Sequence, residues 1–572
     1  MYLKKSLNSK TGRTYLTIVH GYRDRDGKVK TKTIRSIGYL DELEKEYPDP
    51  IAHFTQVAKQ LEQEQIADKL LTIQVRADEQ IPMDSCCRKN YGYIVPSIIY
   101  HELELDRFLN NKRRHQPFKF NSEAIMRLLL FCRLLYPGSK KKSFELKARF
   151  FDRFAFTLDD VYHCLSHFSK ISDDLQIHLH ERIVDQYHRD TSLVYYDVTN
   201  YYFEIDQEDQ LRKKGPSKEK RPDPIVQMGL AVDRNGIPIT YKLFPGNTHD
   251  ALTYRPVMVD IKKDFNVQRI VVVADKGLNS GDNIAFNTAL GDGYIFSKSV
   301  LGADREFKAW VLDESGYIVG DDYKRKSRTV PTDIRVSVDK NGEKTKKTKV
   351  SVDQKQVVFY SEKYALRAKR ERQEMLNKAA DLIANPSKYR KSTAYGAAGY
   401  VKNLVFDKDT GEILDTGRTL LIDEEKIKEE EKYDGYYAIV TSECDETDDD
   451  IINAYRGLWK IEESFRVTKS TLDARPVYLS REDHINAHFL ICFLALTIGR
   501  LIEIRLNHKY PLPRILETLR SVSCSHLDQN VYVFDHRDEI TEELNKVFGL
   551  NIGEKFMTLK DIKNNFARAK TG

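Results

Sequence analysis

RIVVVADKG, residues 269–277, is a continuous apolar run closed by an aspartate and a glycine. Such a run, dominated by β-branched residues, reads as a strand buried on both faces, as parallel sheets require. Asp275 stands where that strand ends. Upstream, SLVYYDVTNYYF (192–203) is a second strand, rich in β-branched and aromatic residues, with Asp197 inside it. IVQMGLAVD (225–233) and IPITYKLF (237–244) flank Arg234-Asn235-Gly236, and Asn-Gly is a strong hairpin signal. ALTYRPVMVDIKKDF (251–265) has the helical period, with its proline near the first turn or at a kink. GDNIAFNTAL (281–290) reads as a short helix and GYIFSKS (293–299) as another strand. The order is strand, strand, strand, helix, strand, helix, strand. It predicts an α/β fold with a mixed sheet: three antiparallel-type strands followed by βαβ units.

The remaining segments arrange themselves around this core. Residues 1–50 form a basic N-terminal β region, with a hairpin predicted over 14–36 (TYLTIVHGY, a polar turn, VKTKTIRS). Residues 51–190 switch to helical periodicity, seen in SEAIMRLLLFCRLLY and LDDVYHCLSHFSKISDDLQIHLHERIVDQYH, and predict a helical domain, to which the resemblance described below adds DNA binding or dimerisation as its expected job. The core occupies 191–299 and resumes over 433–510, beginning with YDGYYAIVTS. Between them, 300–432 reads as a β-rich insertion, with meandering strands at DIRVSVD, KKTKVSV and KQVVFYS and a charged helix near 362–384. Residues 511–572 form a C-terminal region.

An apolar content of 41% and a charged content of 31% describe a soluble globular chain long enough for several domains. The longest apolar run, Phe489–Ile498, is too short to cross a bilayer and predicts a buried helix. MYLKKSLNSK lacks the apolar core of a signal peptide, and the seven cysteines show neither a disulfide framework nor a Cys-x-x-Cys pattern. A reducing, cytoplasmic location is the expectation. The net charge of +6 is unevenly placed: the first 40 residues carry ten Lys and Arg against two Asp. A second basic cluster, LRKKGPSKEKR (211–221), contributes Lys213, Lys214, Lys218, Lys220 and Arg221 as candidate phosphate contacts. Clusters of this kind are the electrostatic footprint of a polyanion, with nucleic acid the favoured partner.

AYRGLWKIEESFRVTKS (454–470) sets two glutamates in a basic, aromatic helix. At about 100° per residue, Tyr455, Glu462 and Lys469 fall on one face, with Trp459 and Arg466 beside them, while Glu463 points away. Asp197, Asp275 and Glu462 then stand as three carboxylates on separate elements of one sheet. Converging carboxylate oxygens suit hard divalent cations. Two Mg²⁺ ions about 3.5–4 Å apart activate a water or a 3′-hydroxyl and stabilise the leaving oxygen, while nearby cations hold phosphates.

This strand order, the two aspartates, the insertion and the late glutamate resemble the ribonuclease H-like core of DDE transposases. Tyr455, Glu462 and Lys469 match the Tyr-x2-Arg-x3-Glu-x6-Lys signature of one branch of bacterial insertion-sequence transposases. YYDVTNYYF, GYRDRDGKVKTKTIRSIGYL and HINAHFLICFLALTIGRLIE are similar to that branch too. The resemblance implies that Asp197, Asp275 and Glu462 are catalytic and ligate two Mg²⁺ ions, with Mn²⁺ able to substitute. Tyr455 and Lys469 would hold phosphates near the scissile bond. The chain would cut DNA at the ends of its own element and join them to target DNA, as a homodimer on the DNA. One position departs: the signature Arg falls on Leu458, and Arg466, one turn beyond Glu462, is the candidate replacement. A metal-dependent nuclease on the same core and an inactive DNA-binding relic remain the alternatives.

Overall fold

The computed structural model describes residues 1–8, 11–23, 29–67, 78, 80, 83, 88–114, 116–218, 221–265, 267–320, 323–340, 343–391, 393–394, 396–407, 410–414, 418–527 and 530–570. Compactness divides the chain into two units. One takes Met1–Glu102, Lys141–Ala155 and Ile502–Gly572; the other takes Leu103–Lys140 and Phe156–Leu501.

The second unit holds a sheet of nine strands. In chain order its labelled elements are β1 (Leu193–Tyr202), β2 (Ile225–Asp233), β3 (Pro238–Pro245), α1 (Asp250–Asp264), β4 (Val271–Ala274), α2 (Gly281–Leu290), β5 (Gly293–Lys298), β6 (Lys324–Lys340), β7 (Glu343–Tyr360), α3 (Glu362–Ala384) and β8 (Tyr436–Thr441). Three helices follow: α4 (Asp448–Arg456), α5 (Trp459–Arg466) and α6 (Glu482–Arg505). From one edge the strands run Ile318–Val319, β6, β7, β8, β5, β4, β1, β2, β3. β4 pairs in parallel with both β1 and β5, and β2 is antiparallel to β1. The mixed sheet expected from the apolar runs is therefore present, with every residue of β2 buried. Its core packs Val194, Tyr196 and Val198 of β1 and Val272 and Ala274 of β4 against Tyr254, Val257 and Ile261 of α1.

The Asn-Gly turn between β2 and β3 forms as expected. Gly236 has φ +83, and the buried Asp233 carboxylate accepts the Asn235 and Ile237 N–H groups and the Arg189 guanidinium. Pro256 lies inside α1 rather than at its start.

Two expectations are corrected. The three meandering strands of the insertion are two long ones: KKTKVSV and KQVVFYS belong to the single strand β7, which pairs with β6 along nearly its whole length. The polar SVDQKQ stretch reads as a break in isolation, but it stays in register with β6 throughout, and from Lys355 it pairs with β8 as well. The base of this hairpin continues the main sheet through β7 and β8. The second correction concerns 454–470, which is two helices rather than one. The long run at 158–187 likewise divides, at Ile171, into the helices Leu158–Lys170 and Ser172–Tyr187.

α6 is long and apolar enough by composition to cross a membrane, yet 94% of its most apolar window is buried inside the protein. That is the buried helix expected from Phe489–Ile498.

The first unit carries a three-stranded antiparallel sheet of Tyr2–Leu7, Thr14–Arg23 and Val29–Tyr39. The predicted hairpin thus gains a strand on its amino-terminal side; its polar turn lies outside the described residues. A helix, Pro50–Ala67, follows. A second antiparallel sheet runs in the order Phe556–Thr558, Val531–Phe534, Ser523–His526, Arg88–Asn90. It brings together segments more than four hundred residues apart, and no local pattern in the sequence predicts that pairing.

Candidate active site

The β1–β4 ladder aligns Leu193, Val194 and Tyr195 with Val271, Val272 and Val273. Continued two residues, this register sets Asp197 opposite Asp275, on neighbouring strands about 4.8 Å apart. The Asp197 side chain is 26% exposed, and its Oδ1 accepts the Val198 N–H at 2.7 Å. Burial raises its carboxyl to about 6; Lys218 and the Val198 N–H oppose the shift, and Asp275 and Asp250 add to it. Asp275, at the exposed end of β4, accepts a hydrogen bond from Ser297 Oγ at 2.8 Å.

Two lysines share the Asp197 neighbourhood. Lys218 Nζ lies 4.0 Å from Asp197 Oδ1 and donates to the Val198 carbonyl. Lys469 stands over the Tyr201 ring at 5.6 Å. Its ammonium is pushed down to about 8 by burial and by Lys218, against the pull of Asp197. Of the 211–221 cluster, Lys218 is thus the cation brought to a carboxylate of the site. Lys213 pairs through its backbone with Ile225, and the Lys214 N–H donates to Glu208. Arg221 stacks over Tyr202 at 4.0 Å, with Asp223 and Glu204 at 3.7 and 3.9 Å. Lys220 lies outside the described residues.

Glu462 is exposed on α5, whereas Glu463 is tied to Arg466 at 3.5 Å and Arg500 at 3.6 Å. That pairing leaves Glu462 as the carboxylate available to a substrate, as the helical phase suggests. Tyr455 links the two sides of the site. Its phenol is pushed well up by burial, opposed by a hydrogen bond with Ser297 and reinforced by Asp275, Tyr437 and Glu462. Arg466 is 74% exposed and engages Glu463, not a member of the acidic triad.

The helical face through Tyr455, Glu462 and Lys469 is not that of one straight helix. α4 ends at Arg456, and the next turn closes with tighter bonds: Leu458 N to Tyr455 O, Lys460 N to Gly457 O and Ile461 N to Leu458 O, each 3.1 Å. After α5, Val467–Thr471 winds as a π-helix. The first turn over-rotates and the last under-rotates relative to an α-helix, so the phase is partly restored by Lys469. At the break the backbone lies close against the sheet. A Cβ on Gly457 would stand 1.9 Å from the Tyr195 hydroxyl of β1. Leu458 is 9% exposed and packs in the core, so it occupies no place facing the substrate.

Sequence reasoning missed three neighbours of the site. Ser297 ends β5 beside Asp275. Tyr437, the second residue of β8, meets Tyr364 of α3 with ring centroids 4.8 Å apart. Arg367, one turn beyond Tyr364, bonds Glu371 at 2.8 Å, and its guanidinium is favoured by that bond and by Tyr437 and Glu462. Ser297 could have been found from its place at a strand's carboxyl end; nothing in the sequence marks the other two.

Among the described residues no three His, Cys, Asp or Glu side chains converge tightly enough to ligate one ion. The carboxylates come as the pair Asp197 and Asp275, with Glu462 on its own helix. This all-oxygen pair, one member desolvated and repelled by the other, fits a hard divalent cation.

Two family models match the sequence: the IS1634 family transposase N-terminal domain over residues 3–69, and the transposase DDE domain over 196–498. DDE domains work with divalent metal ions. No curated protein matches the sequence. Among solved structures, the Mos1 transposase paired-end complex with left transposon end is similar at 11% identity and a TM-score of 0.14. That match covers 42% of this chain and 66% of that one, just under two thirds of its length. With the DDE match spanning more than half of its residues and the IS1634 match at its start, this chain belongs to the insertion-sequence DDE transposases.

Proposed function

We propose that this transposase cuts DNA at the ends of its own element and joins those ends to target DNA at a centre formed by Asp197, Asp275 and Glu462. The observation that supports this reading most is the parallel pairing of β1 with β4, which continued by two residues brings Asp197 beside Asp275, together with the influence of Asp275 on the Asp197 carboxyl. The order β3-β2-β1-β4-β5, with β2 antiparallel, supports a ribonuclease H-like core. Asp197 and Asp275 would hold two Mg²⁺ ions, Mn²⁺ being able to substitute, and Glu462 would complete the set as DNA closes the site. Bound there, the ions would supply a nucleophile and stabilise the leaving oxygen.

The chain's own groups do the rest. Lys469 and Lys218 offset phosphate charge beside Asp197, Tyr455 offers its hydroxyl between Asp275 and Glu462, and Ser297 orients the Asp275 carboxylate. The working form is a homodimer holding paired ends, in the cytoplasm.

The test is incubation of purified protein and Mg²⁺ with DNA from the flanks of its own gene, mapping both cleaved ends and joined products. Cuts at two fixed positions and their transfer to a second duplex are expected. Cuts that never yield joined products would favour a nuclease, and no cut at all would overturn the reading.

A further inference from the structure

The β6–β7 hairpin is fastened to the start of α2. The Ser337 N–H donates to Asp282 Oδ1 at 2.6 Å and its hydroxyl to Oδ2 at 3.0 Å. Gly281 allows the two to touch: a Cβ there would meet the Arg335 carbonyl oxygen at 2.3 Å. Between this seam and the end of β5 lies a cleft of about 570 Å³. Its walls carry Lys276, Lys298, Arg335 and Lys347, and Ser297, the donor to Asp275, also lines it. The anionic residues lining it are already engaged. Asp282 is held by Ser337, with Arg255 at 3.6 Å, and Asp333 has Lys349 at 3.3 Å. Among the described residues, Lys276, Arg335 and Lys347 form no ion pair with a carboxylate. Arg335 and Lys347 are exposed on neighbouring strands of the hairpin, and Lys276 follows Asp275 directly.

A concave surface with unspent positive charge, beginning one residue from a reacting carboxylate, suits a polyanion. Duplex DNA presents one charge about every 1.7 Å of its axis. We propose that this cleft grips the phosphodiester backbone of a DNA strand running away from Asp275, through Lys276, Arg335 and Lys347. The proposal rests on the reading that Asp275 acts on DNA, and it adds a strand path separate from the Lys218 and Lys469 side of the site. The strand is either the element's flanking DNA or the target.

The test uses the full chain carrying Arg335→Gln with Lys347→Gln, and a charge-preserving control, Arg335→Lys with Lys347→Arg. Affinity for a duplex from the flanks of its own gene is measured across a salt series, alongside cleavage and joining. The neutralised variant should lose about 0.9 of log–log salt slope per contact, close to 1.8 in all, while the control keeps it. A fall in cleavage identifies flanking DNA; intact cleavage with reduced joining identifies target DNA. Should the double variant lose its cooperative melting transition, Lys276→Gln, which leaves the hairpin untouched, should lose about 0.9 of slope by itself. An unchanged slope, with cleavage and joining like the wild type, overturns the proposal. A wild-type protein that binds but never cuts sinks the catalytic reading instead, and the slope comparison still stands.

Discussion

Asp275 follows directly on β4, which pairs in parallel with β1, and its charge adds to the upward shift of the Asp197 carboxyl on β1, although 77 residues separate the two in the chain. A parallel pair admits this only because the β2–β3 hairpin and α1 are spent in the crossover, which returns the chain to the same end of the sheet. The consequence is a desolvated carboxyl beside a second negative charge. It is a poor arrangement for stability alone and a good one for binding a cation.

Replacing Asp197 or Asp275 with Asn, or Glu462 with Gln, should reduce cleavage roughly a hundredfold or more, beyond what loss of a metal's outer partners costs. DNA affinity should stay near the wild-type value. Gel-shift titration beside a cleavage time course reads both, and a fast Asp275→Asn protein would remove it from the centre.

Leu458→Arg should not restore a missing signature contact. The side chain sits in the core, and burying a guanidinium there should cost about 2–4 kcal/mol of stability with no gain in cleavage. Arg367 on α3, bonded to Glu371, is a cation whose charge Glu462 also favours. Arg367→Gln should lower cleavage about tenfold, the worth of one charge-assisted contact, while leaving the denaturation midpoint in place. Faster cleavage from a stably folded Leu458→Arg protein would reverse this assignment.

Gly457→Ala should destabilise by about 1–3 kcal/mol, because the new methyl group collides with the wedged Tyr195 ring. Cleavage should fall as well, since α5 must move and carries Glu462. Adding Tyr195→Val opens the space, so the double variant should melt above the sum of its parts. Strict additivity would mean that the added methyl group does not meet the Tyr195 ring.

Lys140 is buried with its ammonium 3.1 Å from His488 Nδ1, while His488 Nε2 faces the Ala474 carbonyl at 3.1 Å. Burial pushes Lys140 down to about 7; Arg133 adds to this and Cys492 opposes it. A lysine depressed in the folded state penalises folding fully below about pH 7, and the penalty fades as pH rises toward the unfolded value near 10.4. Unfolding free energy should therefore climb by roughly 3–5 kcal/mol across that window. Lys140→Gln keeps a donor for His488 but cannot titrate, so it should flatten the climb in urea titrations at a series of pH values. An equal slope in both proteins would count against Lys140 as its source.

The apolar run 269–277, the aromatic strand 192–203 and the Asn-Gly turn were legible because each pattern is local: strand propensity, burial on both faces and turn geometry reside in a few consecutive residues. The choice of Glu462 over Glu463 drew on a straight helix that the chain does not form, and it is the pairing of Glu463 with Arg466 and Arg500 that separates the two. The sequence by itself thus determined the order of the core elements. Tertiary structure alone decided that Asp275 comes near enough to Asp197 to raise its carboxyl, that Leu458 turns inward, that Glu462 acts on Arg367, and that Arg88–Asn90 joins strands near the carboxyl terminus. Register and helix phase answer to contacts between residues far apart in the chain. The hydroxyl of Tyr195 lies where a side chain at residue 457 would stand, and no periodicity within 454–470 carries a record of it.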